Sequence, residues 1–410
     1  DTSVAAVSKT FTIKISDIYS DTSATKKLTN RDSFVVCVRA TDGAGNTSAW
    51  ANGVSSKYTV DTVGPELSTD KLADEAFSAS KWYNATTLTA TGTWTDSGSG
   101  ASTLYYVLSG SSLGDSVTAS VIVNHASKKT AAIGNGSYTI NISDFASSGT
   151  SYLYYVAEDT VGNYSGVKTH AVQVDIAKPE FSNVSTETQN AKSGDSKNFT
   201  VTLGDGTGSG INESSLVATI GSYSIYADSS VADYNTYGSI EYSNGTVTVT
   251  VNSILMGALT EYKLNSVNVT AYDKAGNSDS ATIGYLKVDN TAPKVSITKE
   301  SGTNLFVKGE KSVTAAITDI GDIQKVEWAV FEYNETSAIY DSATAKASGT
   351  AFERTDSTTD TGTSATIPAN FSSDTFTDGS SYVICVKATD AAGNESKYSL
   401  GVSSTYTVDK

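Results

Sequence analysis

Hydrophobic and polar residues alternate along short segments of this chain. In segment 34–41 the even positions are Phe, Val, Val and Ala, and the odd positions include Cys37 and Arg39. Segment 382–389 repeats the same phase, and segment 247–251 reads Val-Thr-Val-Thr-Val. A period of two is typical of β-strands with one buried face. Clusters of Ser, Gly, Asp and Asn separate these segments, and no convincing amphipathic helix is present, so the pattern predicts an all-β fold of antiparallel sandwiches.

A pattern of strand, acidic Gly-Asn turn, second strand and Val-Asp end occurs four times. Its turns read ATDGAGN (40–46), AEDTVGN (157–163), AYDKAGN (271–277) and ATDAAGN (388–394). Its ends read YTVDTVGP (58–65), VQVDIAKP (172–179), LKVDNTAP (286–293) and YTVDK (406–410). The end aspartates follow one another at intervals of 114, 114 and 120 residues: Asp61, Asp175, Asp289 and Asp409. A repeat of this length is a whole domain, because solenoid units have periods of about 20 to 50 residues.

A second, longer repeat spans three of these domain repeats. Segment 33–46, SFVVCVRATDGAGN, returns as SYVICVKATDAAGN at 381–394, a displacement of 348 residues. The two ends of the chain therefore resemble each other more than either resembles the middle, as a three-domain super-repeat produces. Duplication inside a very long protein explains this pattern. The chain also opens at Asp1 in the middle of the pattern, so we expect it to be a processed or excised part of something longer.

These motifs resemble bacterial immunoglobulin-like repeats of large cell-surface proteins, in which a strand ending in A-x-D-x-A-G-N leads to a last strand and a V-D-x-x-x-P linker. The resemblance covers essentially the whole chain. It implies tandem immunoglobulin-like antiparallel β-sandwich domains in an extended string. We expect the C-terminal part of one domain at 1–62 and three complete domains at 63–176, 177–290 and 291–410.

The complete units are longer than the usual sandwich of about 100 residues, so we expect extra hairpins or loops. The second complete unit also departs in phase. Tyr262 does not share parity with Val267, Val269 and Ala271. A β-bulge between them would restore the phase.

Charge and cysteine content exclude several classes of function. Lys and Arg total 28 against 44 Asp and Glu, which gives a formal net charge of −16. This balance argues against nucleic acid or an anionic membrane surface as a partner. The two cysteines are far apart in sequence, so neither a disulfide scaffold nor a cysteine-ligated zinc site is expected. No apolar run reaches membrane-spanning length.

Acidic residues recur at one predicted end of each sandwich. In a sandwich of strands A to G, the B–C and F–G loops lie at the end that the incoming linker enters. Each complete unit offers one Asp in its F–G turn, one in its expected B–C loop and one in the preceding Val-Asp linker. The sequence therefore predicts three triads: Asp61/Asp96/Asp159, Asp175/Asp205/Asp273 and Asp289/Asp319/Asp390. Three carboxylates with loop carbonyls form an oxygen cage of the kind that Ca²⁺ takes, and the resemblance implies junctions stiffened by calcium.

The same aspartates also have a purely structural interpretation. In D-x-x-G-N the Asp side chain accepts backbone N–H bonds of its own turn, and Gly takes a left-handed conformation. Val-Asp at a domain end caps the linker in the same way. The chain contains no D-x-D-x-D-G calcium loop, so both interpretations stay open from the sequence.

Other reactive and aromatic residues give weaker signals. Parity places Cys37 and Cys385 on the outer face of their strands, where each is either a small packed residue or the site of an intermolecular bridge. His125 and His170 are the only histidines, and no nucleophile motif accompanies them. The four tryptophans are interpreted as core and cross-strand packing rather than sugar-stacking platforms. Asn-x-Ser/Thr triplets, whose use depends on the host, occur for example at Asn84, Asn141, Asn198 and Asn244.

We therefore expect a non-enzymatic structural region, namely a rod-like stalk or spacer of a bacterial surface adhesin or fibre. Its location would be extracellular or at the cell surface, and its partners the other domains of the same long chain. One alternative is a surface-layer protein whose copies associate side by side. Another is a set of glycan-binding modules accessory to a secreted enzyme. Host or surface glycans or proteins would be contacted by regions outside this segment.

Overall fold

A computed structural model describes the chain at residues 12, 28–50, 55–143, 148–302, 305–333, 340–354 and 362–410. The chain divides into two compact units. The first comprises residues 1–177 with 207–209, and the second comprises residues 178–206 with 210–410. Antiparallel strands dominate the described part of both units, which confirms the predicted all-β fold.

The expected part-domain at 1–62 falls partly outside the described residues. Its two described strands, β1 (Ser33–Phe34) and β2 (Tyr58–Thr59), pair antiparallel with Ser33 opposite Thr59. They flank the first of the four D-x-x-G-N turns, as the repeat predicts.

The first complete sandwich lies in the first unit. Its strands are β3 (Glu66–Leu72), β4 (Trp82–Tyr83), β5 (Leu88–Thr95), β6 (Ala101–Ser109), β7 (Lys129–Ala132), β8 (Ser137–Ile142), β9 (Ser148–Asp159) and β10 (Lys168–Asp175). They form a three-stranded sheet, β3-β5-β8, and a five-stranded sheet, β4-β10-β9-β6-β7. A short helix, α1 (Ala119–Val123), follows β6 and buries Ile122 against the outer face of the larger sheet.

The middle sandwich lies in the second unit. Its strands are β11 (Glu180–Ser182), β12 (Thr188–Ala191), β13 (Lys197–Gly204), β14 (Val217–Ile220), β15 (Tyr223–Tyr226), β16 (Gly238–Ser243), β17 (Thr246–Val251), β18 (Leu264–Tyr272) and β19 (Ser278–Val288). The sheets have the orders β11-β13-β17-β16 and β12-β19-β18-β14-β15. A 3₁₀ helix (Glu213–Ser215) precedes β14, and α2 (Ser253–Ala258), capped by Asn252, follows β17.

The third sandwich also lies in the second unit. Its strands are β20 (Lys294–Ile297), β21 (Phe306–Val307), β22 (Glu310–Thr318), β23 (Ile323–Glu332), β24 (Ala347–Glu353), β25 (Gly362–Asn370), β26 (Ser381–Asp390) and β27 (Tyr406–Val408). The sheets have the orders β20-β22-β25 and β21-β27-β26-β23-β24. Two 3₁₀ helices, Ser342–Thr344 and Tyr398–Leu400, lie on the outer side of the larger sheet.

The strand order identifies the fold as immunoglobulin-like. In A-to-G notation the smaller sheets are A-B-E, with strand D added in the middle sandwich, and the larger sheets are A′-G-F-C-C′. The short A′ strands β4, β12 and β21 run parallel to their G strands, and every other ladder between described strands is antiparallel. This order places the B–C and F–G loops at the same end of each sandwich.

Alternation along each strand builds the cores. In β17 the three valines are fully buried between the sheets while the three threonines face outward. Burying one such side chain stabilises the fold by about 1.5–3 kcal/mol before entropy is counted. Each complete sandwich has its own buried hydrophobic cluster. The predicted boundaries after residues 62, 176 and 290 stay a prediction, although the sheets fall within 66–175, 180–288 and 294–408.

The phase change at Tyr262 has a different cause from the predicted bulge. Tyr262 lies before β18 begins and has a left-handed backbone, with φ of +62°. The register shift between β18 and β19 lies further along, between Val267 and Asn268. The bulge expected between Tyr262 and Val267 is therefore wrong, because the strand starts only at Leu264.

Candidate cation sites at the ends of the sandwiches

Each Val-Asp aspartate caps the linker that follows it. The Oδ1 atoms of Asp61, Asp175 and Asp289 accept hydrogen bonds from the amide two residues later, at 3.2, 3.0 and 3.0 Å. The turn interpretation of the Val-Asp motif is thus realised in all three linkers. Each carboxylate retains its second oxygen for other contacts.

The F–G turn aspartates also bond within their own turns. Oδ1 of Asp159 accepts from the Asn163 amide at 2.9 Å, and Oδ2 accepts from the Asn163 side chain at 2.7 Å. Asp390 makes the same pair of bonds to Asn394, both at 2.8 Å. Asp273 repeats them with the last residue of its turn at 2.9 and 2.7 Å. All three are buried, so these bonds compensate part of the loss of hydration.

The B–C loops hold their aspartates with backbone amides in different arrangements. Asp96 accepts from the amides of Gly98 and Gly100, at 3.0 and 2.7 Å. The third-sandwich loop is shorter, and Asp319 accepts from the adjacent amide of Ile320 at 2.8 Å. Oδ2 of Asp319 is buried and has no hydrogen-bond partner among the described residues.

In the first unit the predicted triad comes together. Asp61, Asp96 and Asp159 each place a carboxylate oxygen within 4.8 Å of the others. The Ser99 amide donates to Asp61 Oδ2 at 2.6 Å. A Cβ atom at Gly98 would lie 2.3 Å from the Asp61 carboxylate, so only glycine allows this approach. The loop and the incoming linker are therefore fitted to each other.

In the second unit Asp289, Asp319 and Asp390 form an equivalent triad within the same 4.8 Å. Burial, reinforced by the carboxylates of Asp289 and Asp390, raises the pKa of Asp319 to about 6. Burial likewise raises the pKa of Asp390, against the opposing hydrogen bonds from Asn394. A Cβ atom at Gly321 would lie 2.0 Å from Asp289 Oδ2. These raised pKa values show a site where negative charge is crowded and incompletely compensated.

The remaining predicted triad spans residues of both units. Asp175, in the first unit, is fully buried and accepts from the Ser209 amide at 2.6 Å and the Ser148 hydroxyl at 2.8 Å. Asp205, in the second unit, accepts from the Gly210 amide at 2.6 Å, and Asp273 is buried in its turn. A cation site formed by these three residues stays a prediction.

Two of the triads, those of Asp61 and of Asp289, lie within a single unit and are called the intact triads. Their donor atoms fit a hard cation. All three side chains of each triad offer carboxylate oxygens, which Ca²⁺ prefers over nitrogen or sulfur ligands. Three carboxylates supply three to six of the six to eight oxygens that Ca²⁺ takes, and loop carbonyls and water would complete the sphere. Calcium occupancy of the three predicted sites stays a prediction.

Sequence reasoning missed two sets of residues that hold the linkers. Asn163 and Asn394, the last residues of their turns, donate side-chain N–H to the backbone carbonyls of Asp61 and Asp289, at 3.1 and 2.9 Å. The recurring Gly-Asn dipeptide was the signal for this contact. In addition, side chains that precede the F strand, or its equivalent in the part-domain, accept from the amide after Val-Asp: Asn30 from Thr62, Glu261 from Asn290 and Asp378 from Lys410.

The predicted outer face of Cys385 is correct, and of its two interpretations the structure supports the small packed residue. Cys385 is on the outer side of β26, yet it is fully buried, in a small cluster with Phe331 and Tyr398. The 3₁₀ helix Tyr398–Leu400 covers this face, and burial raises the pKa of the Cys385 thiol to about 12. Cys37 is half-buried. An intermolecular bridge through Cys385 is therefore not available in the folded state.

The tryptophans divide between core and surface. Trp94 is buried in the first core, and Trp328 packs against the third. Trp82 lies in β4, beside the buried Tyr83. Trp50 is half exposed, beneath the guanidinium of Arg39 at 4.7 Å. Packing accounts for most of these rings.

No protein-family model matches this sequence, and no curated protein matches it. Among solved structures the chain is similar to an I-band fragment of titin at 11% identity, covering 85% of this chain and 99% of the fragment, with a TM-score of 0.39. It is similar to a 1.5-MDa bacterial ice-binding adhesin at 17% identity, covering 84% and 98%, with a TM-score of 0.34. Fibronectin(III)-like modules of Clostridium thermocellum CbhA match at 15% identity over 54% and 95%, with a TM-score of 0.28. At these TM-scores the similarities carry no argument, and the fold assignment rests on the strand order.

Proposed function

We propose that this chain is an extracellular spacer whose sandwiches are joined through calcium sites at their linker-facing ends. The observation that carries the proposal is the meeting of linker, B–C loop and F–G turn carboxylates within 4.8 Å in two separate triads. Tandem sandwiches of one fold suit a structural repeat region. No helix in the described part of the chain is long and apolar enough to cross a membrane.

Crowded carboxylates need a counter-charge. Two unit charges 4.8 Å apart repel by about 3.5 kcal/mol at an effective dielectric constant near 20. Each triad contains three such pairs, and the raised pKa values of Asp319 and Asp390 indicate that in the second unit the amide donors offset only part of this repulsion. A divalent cation reverses the sign of the interaction and ties three chain segments to one point.

Such a cation would stiffen the junction between neighbouring sandwiches in the second unit. Asp289 follows the last strand of the middle sandwich, whereas Asp319 and Asp390 belong to loops of the third. The Asn394 side chain already connects these segments through the Asp289 carbonyl. A metal ion would add stronger bonds along the same connection, so the linker would lose freedom to bend.

The test is calcium titration of the intact chain, followed by calorimetry and small-angle scattering. We expect binding, a rise in unfolding temperature, and a maximum dimension that shrinks or broadens when chelator is added. Asp390→Asn should weaken binding. Asp42→Asn is the matched control, because Asp42 makes the same turn bonds to Asn46 but belongs to no triad among the described residues. If neither readout changes with calcium, the aspartates only stabilise their own turns and linkers.

Glycan binding is the second candidate function. A cleft of about 790 Å³ in the second unit has a mixed lining of polar and apolar residues, which include Glu187, Asn190, Lys287, Asp322, Tyr262 and Leu264. Paired donors and acceptors of this kind suit sugar hydroxyls. A glycan-array screen of the chain and of Lys287→Ala tests this function. Side-by-side association into a surface layer, and the absence of enzymatic activity, stay predictions.

A further inference from the structure

Three titratable side chains outside the carboxylate triads meet inside the first sandwich. Asp70 is on β3, Tyr155 on β9 and His170 on β10. Tyr155 Oη lies 2.6 Å from Asp70 Oδ2 and 2.8 Å from His170 Nε2. His170 Nε2 lies 2.7 Å from the same Asp70 oxygen. Each of the three polar atoms therefore contacts both of the others.

The three contacts outnumber the protons available to them. Tyr155 brings one hydroxyl proton, and a neutral His170 carries one N–H, at Nε2 or at Nδ1. With the proton on Nε2, Asp70 accepts twice and the Tyr155–His170 contact has no proton of its own. With the proton on Nδ1, two acceptors, Asp70 Oδ2 and His170 Nε2, face each other at 2.7 Å. A cation would let all three atoms direct lone pairs to one centre.

The other two sandwiches show that the fold does not require this cluster. Counted back from the F–G turn Asp, Tyr155 corresponds to Val269 and Val386, which are both fully buried. Counted back from the Val-Asp end, His170 corresponds to Gly284 and Ser404. Burying polar groups where a valine packs costs stability unless they are compensated. Departures of this kind from local packing rules are expected at functional sites.

The surroundings of the cluster suit a bound ion. The Phe77 ring stacks on His170 at 3.8 Å between centroids and fixes the imidazole plane. Tyr138 is 3% exposed, and its ring lies 6.0 Å from that of Tyr155 between centroids. The Asp70 and His170 side chains are 24% and 22% exposed, so an ion in solvent reaches them.

We propose that Asp70, Tyr155 and His170 form a transition-metal site that takes ferric iron through one carboxylate, one phenolate and one imidazole. Two anionic oxygens favour a hard trivalent ion, and imidazole is a common iron ligand. Bonds of about 2.1 Å at right angles place ligand atoms about 3 Å apart, so the three atoms need to separate by only a few tenths of an ångström. Binding releases the Tyr155 proton to solvent and changes no oxidation state. The ion would link β3 in one sheet to β9 and β10 in the other.

The first experiment is titration of the full chain with ferric citrate at neutral pH, with millimolar calcium present to occupy the aspartate triads. We expect a visible phenolate-to-iron charge-transfer band that saturates at one equivalent. Tyr155→Phe should abolish the band, and His170→Gln should raise Kd at least about tenfold. Tyr154→Phe is the matched control, because the Tyr154 hydroxyl bonds to the Leu113 amide instead. A wild-type chain without the band, or a band that survives in Tyr155→Phe, would overturn the assignment.

A second measurement needs no variant and therefore does not depend on variant folding. The chain has two histidines, so its imidazole NMR spectrum contains two spin systems. Diamagnetic Ga³⁺ replaces Fe³⁺ as the probe. We expect the His170 signals to shift and to stop titrating with pH, while those of His125 stay unchanged. The proposal fails if neither imidazole responds or if both respond alike.

Discussion

Replacing Asp319 by Asn should change the stability of the second unit with opposite signs in the absence and presence of calcium. Burial and the neighbouring carboxylates of Asp289 and Asp390 raise the pKa of Asp319 to about 6. At pH 7.5 without a cation, the folded protein therefore holds an ionised group that its surroundings disfavour. Asn removes the charge and keeps an acceptor for the Ile320 amide, which bonds to Asp319 at 2.8 Å.

The magnitude follows from the pKa. A shift from 3.8 to about 6 corresponds to about 3 kcal/mol of disfavoured ionisation, since one pKa unit is worth about 1.4 kcal/mol. Asp319 is partly exposed, and solvent screening reduces this figure by about half. We therefore expect Asp319→Asn to stabilise the cation-free second unit by about 1–2 kcal/mol. Its Tm should rise by about 2–8 °C.

The pH dependence of folding stability tests the same reasoning independently, because the direction of its slope follows from the raised pKa. Between pH of about 4 and 6 the folded cation-free protein binds more protons at Asp319 than the unfolded chain does. Stability therefore falls as pH rises through this range, and the contribution is lost above the folded pKa. The Asn variant should show a smaller fall, which leaves the contribution of Asp390, whose pKa burial also raises. In saturating calcium the order of stability reverses, because the variant has lost a ligand and a hundredfold weaker site forfeits about 2.7 kcal/mol, which exceeds the gain of about 1–2 kcal/mol.

The assay is urea denaturation of the full chain in chelator and in millimolar calcium, with calorimetry as a second readout. Asp228→Asn is the control, since Asp228 is partly exposed, accepts from the Ser230 amide of its own turn and belongs to no described triad. Its effect should be the same in both conditions. If Asp319→Asn is less stable than the wild type in chelator, the inference that burial and neighbouring carboxylates disfavour ionised Asp319 is refuted.

Three further predictions test other parts of the structure. Gly321→Ala would place a Cβ atom 2.0 Å from Asp289 Oδ2. Calcium affinity, measured by titration calorimetry, should therefore fall at least about tenfold. Unchanged affinity would contradict the close fit between the loop and the linker. Asn394→Ala removes the donor to the Asp289 carbonyl and should lower the free energy of unfolding by about 1–3 kcal/mol in urea, whereas no change would mean that the linker contact contributes nothing. Burial raises the pKa of the Cys385 thiol to about 12, so a thiol reagent should label Cys37 in the native chain and Cys385 only after unfolding, as mass spectrometry can show; fast native labelling of Cys385 would contradict its burial.

The fold was predictable because its signals are local and repeated. Alternation in segment 382–389 places Tyr382, Ile384 and Val386 in the core, and the structure buries all three. The aspartate triads were predictable because strand order dictates which loops share an end. The approach of Asp61 to Asp96 and Asp159 follows from that order alone.

What could not be predicted depends on contacts between distant segments. Parity gave the correct face for Cys385, but nothing in the strand pattern shows that Tyr398 and Phe331 cover that face. The cluster of Asp70, Tyr155 and His170 joins residues up to 100 positions apart. No spacing rule connects them, and only the packing of the two sheets brings them together.

The unequal B–C loops of the two intact triads have a consequence for how this protein would respond to its surroundings. Both carboxylate oxygens of Asp96 accept from backbone amides, whereas Asp319 keeps a buried Oδ2 without a hydrogen-bond partner among the described residues. Two sites built from the same residue types therefore differ in how far hydrogen bonds already compensate their negative charge. Calcium would fill them over separate concentration ranges, so a fall in calcium would loosen the chain one link at a time instead of at a single threshold.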